Sequence, residues 1–292
     1  MALNCHRSIY DVNPAAWDYL NSSAHPGLLH GFLSSLEDSG SIGYGTGWEP
    51  YYLTLSDHLG LAASVVCYFK TDSYGEYVFD FSWADAYYRH GINYYPKCLV
   101  AVPFTPSTGP RLMVRPDLDY GSTAQRLIAF MRSEFDDKVS TYHVLFPNTR
   151  DGQLLREAGW IERHGVQFHW ENKGFLSFED HLATFTSKRR KEVRREQRRV
   201  REQGITYTHM SGAELNPSLL KILNQCYQIT YKIRGRQGYL NEDFFRLLAD
   251  RIPAALAVAF AKRSGEPIAM SFCLKDQTTL YGRYWGALEN ID

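Results

Sequence analysis

The C-terminal succession of segments constrains the fold more than any other feature. ALAVAFAKR, PIAMSFCLK and TLYGRYWGAL are apolar, β-prone runs separated by Ser264-Gly265 and by Asp276-Gln277, which predicts three antiparallel strands joined by tight turns. Two helices precede them. In LNPSLLKILNQCYQITYKI, Asn216 is placed to cap and Pro217 to occupy the first helical position. A second helix begins at Asn241, where Glu242 and Asp243 suit the positive N-terminal dipole, and stops before Pro253. ITYTHM, upstream, reads as a short strand.

The first half alternates strands and helices. YYLTLSD and LAASVVCYFK are strands around a tight HLG turn, SWADAYYRHG is helical, and KCLVAVPF is a nearly continuous apolar run, hence a buried strand. GSTAQRLIAFMRSEFDDK carries Leu127, Ile128 and Met131 at helical spacing, with Ser122 or Thr123 available as N-cap. STYHVLF then reads as a strand, DGQLLREAGW as a short helix and GVQFHWEN as a strand. This order points to an α/β or α+β sheet. ENKGFLSFED separates the halves at about residues 172 to 180.

Between them lies TSKRRKEVRREQRRVREQG. With Val193 at zero and about 100° per residue, Val200 returns to the same face, while Lys188, Lys191, Arg194, Arg195, Arg198 and Arg201 lie on the far side. Gly204 is placed to cap this helix. Such a face attracts a polyanion, RNA or the phosphates of a nucleotide-linked donor, with Lys191, Arg194 and Arg198 as the donor-binding candidates. The other reading is a solvated helix whose charges pair internally, Glu192 with Arg195 and Glu196 with Arg199.

Over the 292 residues, 32 Lys plus Arg balance 32 Asp plus Glu, so the basic helix is a local feature and DNA packaging is excluded. Cys5, Cys67, Cys98, Cys226 and Cys273 are scattered and contain no C-x-x-C pair; they read as buried thiols of a cytoplasmic, soluble protein. The ten histidines show no H-E-x-x-H or similar spacing, so no catalytic metal is expected. No apolar run approaches the roughly 20 residues of a membrane span.

SYGEYVFDFSWADAYY concentrates the candidate chemistry. Glu76, Asp80 and Asp85 are possible proton acceptors, and Tyr74, Trp83 and Tyr87 are walls able to stack on a substrate and desolvate a carboxylate. Alternatively Tyr77, Phe79 and Phe81 alternate as strand core and the aspartates cap a turn or helix. Arg111, in TPSTGPRLM, could partner a phosphate, although that loop is as readily a proline-rich connection. Arg234 and Arg283 are candidates for a phosphate or carboxylate clamp or are ordinary surface arginines; strand alternation would place Arg283 and Trp285 on one face.

The segments SLEDSGSIGYGTGWEPYYL, GEYVFDFSWADAYYRHGINYYPKCLVAVPFTPSTGPRLMV, KRRKEVRREQRRVREQGI and LYGRYWGALE resemble the FemAB-like predicted N-acyltransferases. These form a bacterial family linked to peptidoglycan biosynthesis or recognition, within the acyl-CoA N-acyltransferase (GNAT) superfamily. The similarity runs from about Leu28 onward and is most specific between Tyr74 and Pro110. It implies an α+β protein of tandem GNAT-like folds, mixed sheets flanked by helices, with domains at 1–175 and 176–292. Family members continue beyond the position of Asp292, so the second domain is expected to be incomplete. The implied activity is transfer of an acyl group from acyl-CoA to an amine, a small molecule or a cell-wall precursor. The alternatives are an aminoacyl-tRNA donor, as in the better-known Fem relatives, or a non-catalytic module that binds muropeptide or RNA.

Overall fold

The computed structural model describes residues 1–289. The chain enters through β1 (Ala2–His6), then α1 (Pro14–Leu20) and α2 (His30–Asp38). β2 (Trp48–Asp57) and β3 (Gly60–Lys70) follow as a hairpin. Its turn works because Gly60 takes φ 107° and Asp57 Oδ1 accepts the Leu59 N–H at 2.8 Å. Along this hairpin the side chains divide by period two. Tyr52, Val66 and Tyr68 face one apolar cluster with α1 and α2; Leu53, Leu55, Val65 and Cys67 face a second one. Both faces of β3 are therefore covered, which is why its sequence reads as an unbroken apolar run.

After α3 (Phe81–Arg89), β4 (Lys97–Val100) pairs antiparallel with β3, and β5 (Leu112–Val114) pairs with β3 further along. α4 (Tyr120–Phe135) buries Leu127, Ile128 and Met131 against the second cluster. β6 (Tyr142–Val144) then lies parallel to β4, and α5 (Thr149–Glu157) closes this half. Three expectations need correction. KCLVAVPF is a strand only to Val100, because the chain turns away at Ala101–Phe104, with Phe104 at φ 54°. The cap of α4 is Asp119, whose carboxylate accepts from Ser122 N at 2.9 Å; Ser122 and Thr123 sit inside the first turn. GVQFHWEN forms no strand: Val166 and Phe168 are 88% and 99% exposed, and no strand pairs with them among the described residues.

The second half begins with α6 (Phe178–Ala183) and α7 (Ser187–Glu202), continues through β7 (Ile205–Met210), α8 (Pro217–Lys232) and α9 (Glu242–Arg251), and ends in β8 (Leu256–Arg263), β9 (Glu266–Lys275) and β10 (Leu280–Ala287). The sheet order is β10-β9-β8-β7, antiparallel throughout, while the first sheet runs β1-β2-β3-β4-β6 with one parallel pair. The architecture is thus α+β with mixed sheets flanked by helices. Asn216 and Asn241 cap α8 and α9 as their sequences require, and Ser264-Gly265, both at positive φ, make the β8–β9 turn. The expected interruption at Asp292 lies outside the described residues.

The halves share a core. Phe32 of α2 meets Phe244 of α9 edge to face at 5.8 Å, and Gly31 lets α2 approach Ile252, whose side chain a Cβ would meet at 2.7 Å. Arg251 reaches across to Ser34 Oγ at 3.0 Å and Asp38 at 2.5 Å. All five cysteines are free; Cys67, Cys98 and Cys226 are buried, whereas Cys5, contrary to expectation, is exposed on β1.

Candidate functional site

Strand register sets Lys70 of β3 directly opposite Lys97 of β4, on the same face, with both side chains fully buried. Like charges at such a pair repel, so something must neutralise them. The connection between β3 and α3 does so. Lys97 Nζ donates to Ser73 Oγ at 3.0 Å, to Glu76 Oε2 at 2.9 Å and to Asp80 Oδ2, which uses all its protons. Lys70 Nζ donates to Asp72 Oδ1 and to the Tyr74 carbonyl, both at 3.2 Å, and lies 4.1 Å from the Trp48 ring centre. The connection is shaped by Gly75, at φ 80°, packed on Phe104 and Trp48, and by Tyr77, at φ 60°.

Tyr94 OH donates to Asp80 Oδ2 at 2.7 Å and contacts His143 Nε2 at 3.2 Å. Burial pushes the Glu76 carboxyl up to about 7 against the opposing pull of Lys97. At Asp80 burial acts in the same direction, but hydrogen bonds from Lys97, Ser73 and Tyr94 outweigh it and leave the group below the ordinary carboxylate value. Burial lowers Lys70 to about 8, and burial together with Lys97 lowers His143 to about 4. Glu76 Oε1 and Asp80 Oδ1 are buried and have no hydrogen-bond partner. Each retains unused acceptor capacity.

Of the carboxylates singled out in the sequence, Glu76 and Asp80 meet around Lys97; Asp85 does not, being exposed on α3. Tyr74 and Trp83 stand at the surface, 46% and 45% exposed, and Tyr87 packs edge-on against Tyr94 at 5.1 Å. Tyr77, Phe79 and Phe81 are exposed and outside any strand, so the strand-core alternative fails. Arg111 is buried and bonds the carbonyls of Leu145, Pro110 and Ser107, so it is braced inside the protein. Arg234 is exposed at the end of α8; it is Arg236 whose guanidinium approaches the Tyr74 ring, at 5.3 Å.

A bulge between Gly282 and Tyr284 breaks the alternation on β10. Arg283 consequently turns inward, to the Phe104 carbonyl and the rings of Tyr77 and Tyr284, while Trp285 remains 66% exposed. They do not share a face. The α7 helix buries no residue and is capped at its start by Thr186; its C-cap is Gln203, and the expected Gly204 follows as the first residue beyond the cap, at φ 69°. Its Glu192 pairs with Arg189 at 2.7 Å rather than with Arg195, and Arg194 pairs with Glu179 of α6 at 2.5 Å. Lys191 and Arg198 have no ion-pair partner among the described residues.

Sequence reasoning missed Lys70, Lys97, Ser73, Tyr94 and His143, and within YKIRGRQGYL, where Lys232, Arg234 and Arg236 surround two glycines, it named Arg234 rather than Arg236 for the clamp. The legible signal was a lysine ending SVVCYFK and another opening KCLVAV, each a cation embedded in an otherwise apolar strand. Among the described residues no group of His, Cys, Asp and Glu could hold a metal ion, and no helix is long and apolar enough to cross a membrane.

Solved structures similar to this chain include the following three. FemX is 12% identical, with a TM-score of 0.48, 98% of this chain and 80% of that one being covered. L-PGS from Bacillus licheniformis is 12% identical at a TM-score of 0.44, over 89% and 68%. A conserved protein of unknown function from Bacteroides thetaiotaomicron is 13% identical at 0.47, over 95% and 79%. No curated protein matches significantly. Residues 8–292 match the model of the FemAB-like family, described as peptidoglycan biosynthesis/recognition, and the chain belongs to that family.

Proposed function

We propose that the protein transfers an acyl group to an amine of a peptidoglycan-type precursor, at the cluster of Lys97, Glu76 and Asp80. The observation that carries this reading is the pair of buried, unpartnered carboxylate oxygens beside an aromatic wall, one of them on a carboxyl held at about 7. An incoming ammonium supplies the donors those oxygens lack. The ionised fraction of Glu76, near half at neutral pH, first takes one proton from the ammonium and frees its lone pair; the nitrogen then attacks the acyl carbon, the new C–N bond replaces the C–O or C–S bond, and a second nitrogen proton leaves on the departing oxygen or sulfur. Lys97 holds both carboxylates in place, and Tyr74 and Trp83 face the acceptor.

For the donor, the features favour an aminoacyl ester on tRNA over acyl-CoA. The N-terminus of α4, where a GNAT-type core would seat a pyrophosphate, is occupied by the Asp119 carboxylate, which disfavours a second anion there. The exposed cationic face of α7, including Lys191, Arg194 and Arg198, suits RNA phosphate. The two sheets are accordingly read as paired GNAT-like cores meeting near residues 175 and 176.

The test is incubation of the full chain with an amine-bearing muropeptide precursor and either aminoacyl-tRNA or acetyl-CoA, with products weighed by mass spectrometry. Product from aminoacyl-tRNA is expected, reduced about 100-fold or more in Glu76→Gln, whose thermal stability is retained. Product from acetyl-CoA alone reverses the donor assignment. Acceptor binding without product from either donor favours a recognition module.

A further inference from the structure

We propose that the seam between the two halves is a binding site for an acid group, carboxylate or phosphate, formed by Arg283 and Arg236, so that the acceptor is an amine that also carries a negative charge. This rests on Glu76 and Asp80 being the amine-facing groups, and it gives the site its opposite pole.

The other arginines that are buried or engaged across the fold are accounted for. Arg115 is held by Asp57 and Asp117, Arg251 by Asp38, and Arg111 by three backbone carbonyls. Arg283 is different. It has no acidic partner among the described residues, bonds the Phe104 carbonyl and, at 3.4 Å, the Tyr284 hydroxyl, and leaves its buried Nε without an acceptor. A desolvated guanidinium lacking a counter-charge is costly, and the β10 bulge is what turns it inward.

Arg236, also without an acidic partner among the described residues, stands over Tyr74 at 5.3 Å, as Arg283 stands over Tyr77 at 5.6 Å. Those two tyrosines bracket Gly75 and Glu76. The second half therefore brings two guanidiniums against the tyrosines that flank Gly75 and Glu76. Tyr77 OH, 3.0 Å from Tyr231 OH of α8, holds the two sides in register. Planar, fork-shaped donors of this kind recognise carboxylate and phosphate oxygens.

Calorimetric titration of the full chain with small probes tests this. Nα-acetyl-lysine carries both charges, its methyl ester only the ammonium, N-acetylglycine only the carboxylate, and O-phosphoethanolamine an ammonium with a phosphate. The wild type should bind Nα-acetyl-lysine roughly tenfold more tightly than the ester, the worth of one charge-assisted hydrogen bond. Arg236→Ala and Arg283→Gln should bring that ratio towards one and weaken N-acetylglycine, with the ester unaffected. Arg236 is exposed, so its variant is informative even if Arg283→Gln misfolds. Tighter binding of phosphoethanolamine assigns phosphate, and the reverse assigns carboxylate. If N-acetylglycine binds through Arg236 while the ester does not bind, the acid site stands and the amine reading falls. Equal affinities for acid and ester in the wild type, or a ratio untouched by Arg236→Ala, overturn the proposal.

Discussion

Lys97 is the residue on which the site's electrostatics turn, since both carboxylates are buried and each is bonded to its ammonium. Lys97→Met should destabilise by about 3–5 kcal/mol in chemical denaturation, because two acids then lose their cation. Adding Glu76→Gln and Asp80→Asn should recover part of that loss; if the triple variant is no more stable than the single, the cost lies in packing. Glu76 also has a pH signature. Its folded value, about 7, exceeds the ordinary 4.5, so between those limits the folded chain holds a proton the unfolded chain releases. Its contribution is fully present below about pH 4.5 and lost as pH rises through 7. His143 and His25, lowered to about 4 and about 3 by burial, work the other way and favour folding as pH rises through their windows. Subtracting the stability curve of Glu76→Gln from that of the wild type isolates the carboxyl: the difference should decline from pH 4.5 to 7, and a flat difference would refute the assignment.

Helices declared themselves where their signals are local. Asn216-Pro217 and Asn241 fix the starts of α8 and α9 within one turn of chain, as capping chemistry demands. The start of α4 was misplaced for an equally local reason: Ser122 is a good cap by type, but Asp119 lies one turn earlier and takes its N–H. Asp119→Ala should lower stability by about 1 kcal/mol and Asp119→Ser by much less, read as shifts in denaturation midpoint. Strands are another matter. The alternation Val166, Phe168, Trp170 has the right period, yet pairing depends on a neighbour that no short window of sequence can supply. Charge reversal on α7, Lys191→Glu with Arg198→Glu, should leave stability within about 0.5 kcal/mol while abolishing salt-sensitive tRNA binding in a filter assay; undiminished binding would remove α7 from the donor site.

Across the whole molecule, one apolar cluster contains residues of both halves. Phe244→Ala should therefore cost about 3–5 kcal/mol and shift fluorescence and circular-dichroism transitions together; two separated transitions would show that the halves unfold independently. This scale was the least legible in the sequence. Glu76 and Asp80 could be picked out because they sit four residues apart amid aromatics, but nothing local says that Tyr231 and Arg283 arrive beside Tyr77. Such contacts follow from how two sheets dock, which periodicity does not encode.

The face-to-face lysines carry a kinetic corollary. Until the acidic connection has wrapped over them, the ends of β3 and β4 repel, which disfavours closing that edge of the sheet before the segment bearing Glu76 and Asp80 is in place. A nascent chain with its carboxylates protonated would hesitate at that step.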